Sequence, residues 1–247
     1  MPWTKVQLGR FRLNVKIWPR AIFVSQKASA EILVSMAIDV DGAPNAYGPK
    51  NSDALDNELN AHAGAKKTGA IVGYLTKGND RKTPILQGPN DPCPGFYIST
   101  TGYYDRSNPN VEDPRRYVNA AEINYTLLAT VAKQAGVKLG DFCTVHSLRT
   151  GRIVYAIVGD AGNSRGREGS LALLQRLGYK VKDGKSGGEG QNQIAVRYFA
   201  KTNPDQLFFL RQPELETRAR SLDIDTDFSK YHPGDPGKLV FDTVAAA

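Results

Sequence analysis

Two carboxylates eight residues apart, Asp160 and Glu168, bracket a stretch with two glycines, and Gly169 follows directly. Hydrolysis of a glycosidic bond needs such a pair: one acid protonates the leaving oxygen, and one base or nucleophile works on the opposite face of the sugar. Eight residues of chain can span far more than the roughly 6.5–9.5 Å that an inverting pair requires, so the spacing permits the geometry without fixing it. The same residues also suit a plainer role, with Asp160 stabilising a turn and Glu168 solvated in a loop. A second pair, Asp39 and Asp41, points to one face of an extended backbone. Such carboxylates repel each other unless a cation lies between them or water solvates them. That face could bind an ammonium group or a metal, or one of the two could cap the turn that Gly42 to Pro49 imposes.

The elements around Asp160 explain how it would be held. Ile153 to Val158 is an almost unbroken apolar run, entered through Thr150-Gly151, and predicts a strand buried on both faces. Asp160 stands at its end. Residues 161–169 predict a loop. Ser170 reads as the N-cap of a helix whose apolar face is Leu171, Leu173, Leu174 and Leu177, with Gly178 at its stop. Phe142 to Leu148 predicts the hairpin partner of the central strand. Ile32 to Met36 and Gln193 to Phe199 are further strands. Ala70 to Leu75, Pro84 to Leu86, Phe96 to Thr101 and Gln206 to Leu210 predict short ones, and Ser52 to Gly64 a short helix. Residues 122–135 suit either a helix or a strand entering a loop.

Near the N-terminus, Phe11, Leu13, Val15 and Ile17 alternate with polar residues, which predicts a half-exposed strand with Ala21 to Ser25 as its returning partner. Beyond Pro213 the chain turns polar and reads as a tail. The expected division is an N-terminal hairpin over 1–30, one catalytic domain over 31–212, and a tail over 213–247.

The chain has 247 residues, 40% of them hydrophobic and 23% charged, enough for a full core. No apolar run reaches the length of a membrane span, so no membrane role is expected. The formal charge is +7 and the pI about 9.3. The basic residues are scattered in short clusters without interleaved aromatics, which argues against nucleic acid. Cys93 and Cys143 are compatible with one disulfide or with two thiols, and their separation excludes a CxxC metal site. His62 and His146 have no companion at metal spacing, and no metal is expected. Tyr103 and Tyr104, on a polar loop, could stack on sugar rings or pack with their hydroxyls satisfied.

Five collinear blocks carry a resemblance: Asp39-Val-Asp-Gly-Ala-Pro-Asn-Ala-Tyr47; Gln87-Gly88 with Pro94-Gly-Phe-Tyr-Ile-Ser-Thr-Thr101; Asp113-Pro-Arg-Arg-Tyr-Val-Asn-Ala120; Gly140-Asp141; and Ala156-Ile-Val-Gly-Asp-Ala-Gly162 followed by Glu168-Gly-Ser-Leu-Ala-Leu173. Together they resemble the fungal-type chitosanases of glycoside hydrolase family 75, over roughly residues 33–200. The resemblance implies an inverting, endo-acting hydrolase of β-1,4-linked glucosamine polymers, secreted and working without a cofactor as a monomer. Its essential Asp and Glu fall on Asp160 and Glu168, and Asp39, Asp41, Tyr47, Tyr103 and Tyr104 are expected to bind substrate. By analogy the fold is a mainly β (α+β) domain, a six-stranded double-psi-like barrel with a few short helices and the extra hairpin.

Some features depart from that expectation. The N-terminus does not read as a signal peptide. Arg165 and Arg167 flank Glu168, and a nearby cation lowers a proton donor's pKa. A net positive chain also repels a polycation such as chitosan at long range, although screening confines remote charges to about 8–10 Å. The alternative is a non-catalytic or differently specific protein that binds or cleaves cell-wall glycan such as peptidoglycan.

Overall fold

A computed structural model describes residues 4–8, 11–15, 27–64, 67–231 and 237–241. At the N-terminus, β1 (Thr4–Leu8) pairs antiparallel with β2 (Phe11–Val15). The expected hairpin strand is thus present, but its partner precedes it in the chain. The expected partner at Ala21 to Ser25 lies outside the described residues.

The body is a closed β-barrel. Its strands are β3 (Ala30–Asp39), β4 (Tyr125–Leu127), β5 (Phe142–Ser147), β6 (Arg152–Asp160), β7 (Glu168–Ser170) and β8 (Glu189–Tyr198). They run in the order β4-β7-β3-β8-β5-β6, and a parallel β4–β6 pairing closes the ring. β9 (Lys238–Leu239) adds a parallel strand to β6. Helices are short: α1 (Thr130–Gln134), α2 (Leu171–Arg176) and α3 (Gln212–Ser221). This is the mainly β, six-stranded barrel that was expected.

The sequence dictates the strongest elements. On β3, Val34, Met36 and Ile38 are buried while Leu33 and Ala37 are exposed, the period-two pattern of a strand with one face inside. A bulge between Val34 and Met36 takes Ser35 out of the ladder with β8, and its N–H donates instead to Asn192 Oδ1 at 2.9 Å. β6 is buried on both faces because the barrel covers one and α3, with Leu215 and Ala219 in the main core, packs against it. The tail boundary at 213 therefore falls inside a helix that contributes to that core. Farther on, Phe228 packs with Ile153 and Ala195.

Several expected elements differ. The helix over Ser52 to Gly64 is only a 3-10 turn, Glu58–Ala61, and Ser52 Oγ bonds to Asp53 instead of capping it. The strands expected at Ala70 to Leu75, Pro84 to Leu86 and Phe96 to Thr101 reduce to isolated bridges such as Tyr74 to Ser99 and Leu86 to Tyr97. Gln206 to Leu210 is not a strand; its Phe209 packs edge-on to Phe142. The ambiguous stretch at 122–135 is both alternatives in succession, β4 and then α1. Both cysteines are free thiols, Cys143 buried.

Ser170 links the barrel to α2. Its buried Oγ accepts the Leu173 N–H at 3.1 Å, as an N-cap should, and also the Tyr125 N–H of β4 at 3.0 Å. Ser170→Ala orphans both donors in a site without water access. We expect a loss of about 2 kcal/mol, from about 1 for the cap and about 1 or more for the second buried donor. Thermal unfolding should read this as a fall of about 4–8 °C in Tm; an unchanged Tm would show that neither bond contributes.

Candidate functional site

Asp160 is fixed by small residues and by strand closure. A Cβ on Gly159 would lie 2.6 Å from Tyr125 Cβ, so only glycine lets β6 approach β4 here. The Leu128 N–H donates to the Asp160 carbonyl at 2.8 Å. The carboxylate Oδ1 accepts two backbone N–H groups, Ala161 at 2.6 Å and Gly102 at 2.8 Å. Oδ2 has no hydrogen-bond partner among the described residues. Burial raises the Asp160 pKa, the two N–H donors lower it, and the charge of Glu168 raises it, leaving it at about 6.

Glu168 does not lie in a loop, as its glycine-rich surroundings predict; it opens β7. The Ala37 N–H donates to the carbonyl of Arg167 at 2.8 Å, and Ala37 stands in register with Glu168 on the neighbouring strand. Asn163 Nδ2 donates to Glu168 Oε1 at 3.0 Å. No ion pair joins Glu168 to Arg165 or Arg167 among the described residues. Successive side chains of an extended backbone point to opposite sides, which accounts for Arg167.

The strand order places these acids. β4 lies between β6 and β7, and Thr126 pairs with Gly169 while Leu127 pairs with Asp160. Asp160 and Glu168 are thus two strand spacings apart across Leu127, about 10 Å between backbones. Their side chains lie close enough for the charge on one to raise the pKa of the other. On the next strand Asp39 stands opposite Ser170, so it projects from the same face as Glu168, two register positions along.

Asp39 and Asp41 complete the cluster. The Asp41 N–H donates to Asp39 Oδ1 at 2.9 Å, the Tyr47 hydroxyl donates to Asp41 Oδ1 at 2.7 Å, and the Tyr125 hydroxyl donates to the Asp41 carbonyl at 3.0 Å. Burial, then the charge of Asp160, push Asp39 up to about 8. Burial and then the charge of Asp39 push Asp41 well above the usual carboxylate range. Both nevertheless keep part of their surface in contact with solvent. Walled by protein yet open on one side, these two carboxylates form the solvent-facing floor of the acid cluster.

The expected site residues therefore divide. Asp39, Asp41, Asp160 and Glu168 come together, and Tyr47 joins them by holding Asp41 from a buried position, not by offering a face to a ligand. Tyr103 is 2% exposed; its hydroxyl donates to the Leu207 carbonyl at 2.6 Å, and its ring packs near Phe208. It is a packing residue, which corrects the expectation of sugar stacking. Tyr104 is partly exposed, but the Arg116 guanidinium lies 4.3 Å over its ring. Residues not foreseen are the Gly102 and Ala161 N–H groups, Asn163 and Tyr125. A glycine N–H that reaches a carboxylate 58 positions away leaves no local signal. Among the described residues no group of three His, Cys, Asp or Glu is placed to hold a metal ion. No described helix is long and apolar enough to cross a membrane.

Because the folded state holds Asp39 near 8 and Asp160 near 6, it binds more protons than the unfolded chain between about pH 4 and pH 8. Stability conferred by these groups is lost as pH rises through that window. Asp39→Asn keeps the acceptor for the Asp41 N–H and removes the charge. It should raise Tm at pH 8 by about 2–8 °C, for a gain on the order of 1–2 kcal/mol, and change it little at pH 4. An equal gain at both pH values would show that charge repulsion is not its cause.

No protein-family model matches the chain, and no curated protein matches it in sequence.

Proposed function

We propose that this protein is an inverting, endo-acting glycoside hydrolase of β-1,4-linked glucosamine polymers, with Asp160 as general base and Glu168 as general acid. The observation that carries the reading is the placement of these two carboxylates on strands separated by β4, with the charge of Glu168 raising the pKa of Asp160, beside the acidic floor of Asp39 and Asp41. Backbones about 10 Å apart suit carboxyl groups separated by the roughly 6.5–9.5 Å that leaves room for one attacking water. The collinear blocks that resemble family 75 chitosanases support the same pair.

In this mechanism Asp160 Oδ2, free of protein donors, takes a proton from water as the water oxygen attacks the anomeric carbon. Oδ1 stays anchored by Gly102 and Ala161, so the base does not swing as it is protonated. On the opposite side of the ring Glu168 gives its proton to the departing glycosidic oxygen, and the bond to the anomeric carbon breaks. Asp160 ends protonated and Glu168 ionised; exchange with solvent restores both. Asp39, which burial and the charge of Asp160 raise to about 8, projects from the same face as Glu168. At neutral pH the ionised Asp160 carboxylate attracts the ammonium groups of the polymer.

Incubation with soluble chitosan should release new reducing ends. Asp160→Asn and Glu168→Gln should each lower that release by at least about 100-fold, the usual contribution of a positioned acid or base. Circular dichroism and Tm should remain those of a folded barrel. Activity within a few fold of the parent in either variant would reject that residue's role.

A further inference from the structure

Beside the acid cluster lies a recess of about 880 Å³, within the range of sites that hold a small ligand. Leu128 and Leu139 form the wall nearest the acids. The Leu128 N–H holds the carbonyl of Asp160, and Leu139 Cδ1 lies 3.1 Å from where a Cβ on Gly102 would stand. One layer of side chains therefore separates this recess from the proposed base.

Its charge is opposite to that of the acid floor. Arg106, Lys133, Lys138 and Lys201 line it, and none of them forms an ion pair among the described residues. The one carboxylate on its wall, Asp141, is engaged by backbone: Oδ2 accepts from the Lys138 N–H at 2.8 Å, and Oδ1 from the N–H groups of Thr202 at 3.0 Å and Asn203 at 3.2 Å. Those bonds tie the segments bearing Lys138 and Lys201 to one anchor. Lys201 has φ of 63°, a left-handed conformation that side-chain-bearing residues seldom adopt. Four cations gathered around a concave surface, with the one carboxylate on its wall engaged, raise the local potential for an anion.

We propose that this recess is an anion-binding subsite flanking the acid cluster, taking a carboxylate or phosphate substituent on a sugar bound beyond Asp160. The inference rests on the glycosidase reading and narrows its substrate: the glycan carries amino sugars over the acid floor and anionic groups at the neighbouring position. It also accounts for a chain of net charge +7 that meets an amino-sugar polymer.

The test compares glucosamine oligomers with half their amines N-succinylated against oligomers with half their amines N-acetylated. The two sets have equal ammonium content and differ in the added carboxylate. By calorimetry at low ionic strength the intact protein should bind the succinylated oligomer on the order of tenfold more tightly, with the preference shrinking as salt is added. The Lys138→Glu/Lys201→Glu variant should lose the preference while binding the acetylated oligomer as before; Lys133→Gln should reduce it partly. A 6-O-phosphorylated oligomer identifies the preferred group, since tighter binding of either anionic form supports the subsite. Equal affinity of the parent for anionic and acetylated oligomers, or a preference that survives the double charge reversal, would overturn it. Counting reducing ends separates this from the parent reading. Cleavage of neither oligomer with the preference intact rejects the hydrolase and keeps the subsite; cleavage of both without preference rejects the subsite alone.

Discussion

Mutual repulsion among Asp39, Asp41, Asp160 and Glu168 is the constraint around which the barrel is arranged. Burial and each other's charge lift the first three above the ordinary carboxylate range. A flexible chain would relax by swinging them into water. Here β6 is clamped on both faces, β4 is closed against it through Gly159, and β7 is stitched between β4 and β3. Closure of the ring supplies the rigidity, because none of these strands has a free edge along which to slide. The acids are held close at a cost in stability that the core around them offsets, as often happens where geometry serves chemistry.

Hydrogen bonding then makes unlike groups out of like ones. Asp160 receives two backbone donors on one oxygen, which favour its ionised form, and it stays lower than Asp39. Asp39 receives one, from Asp41, and faces the charges of both Asp160 and Glu168. These environments push the two neighbouring aspartates apart in proton affinity. The donors responsible come from the Gly102 turn and from the residue after β6, so the difference is written into backbone that no other side chain needs to support.

Much of this was legible in the sequence, and the parts that were not share a cause. The apolar run of β6, its hairpin with β5 and the Ser170 cap were readable because each is encoded within a dozen residues by apolar pattern or turn chemistry. β4 and β7 have three residues apiece, too short for periodicity to register, and they exist because other strands already flank them. That is why Glu168 looked like a loop residue. Residues 43–118 form little regular structure and are held by turns, isolated bridges and buried side-chain bonds such as Gln87 Nε2 to the carbonyls of Pro44 and Tyr97. Strand patterns drawn there from alternation alone overreached. Tyr103 failed for a related reason: tyrosine on a polar loop gives no sign of whether its ring is covered, and Asn203 and Leu207, about a hundred residues away, cover it.

Net charge does not describe the local fields of this protein. A total of +7 spread over the surface is attenuated within about 8–10 Å at physiological salt, whereas groups lining a concave wall act at contact distance through protein of lower polarizability than water. The acid floor and the basic recess therefore act as separate fields although one layer, Leu128, Leu139 and Gly102, divides them. Two fields of opposite sign side by side also give a linear polymer a direction. A chain whose substituents match them fits in one orientation, and the reversed chain meets like charge at both positions. In the proposed single displacement, orientation would matter because the leaving oxygen would have to face Glu168 and the attacking water Asp160; a site that accepted both directions would bind half its substrate unproductively.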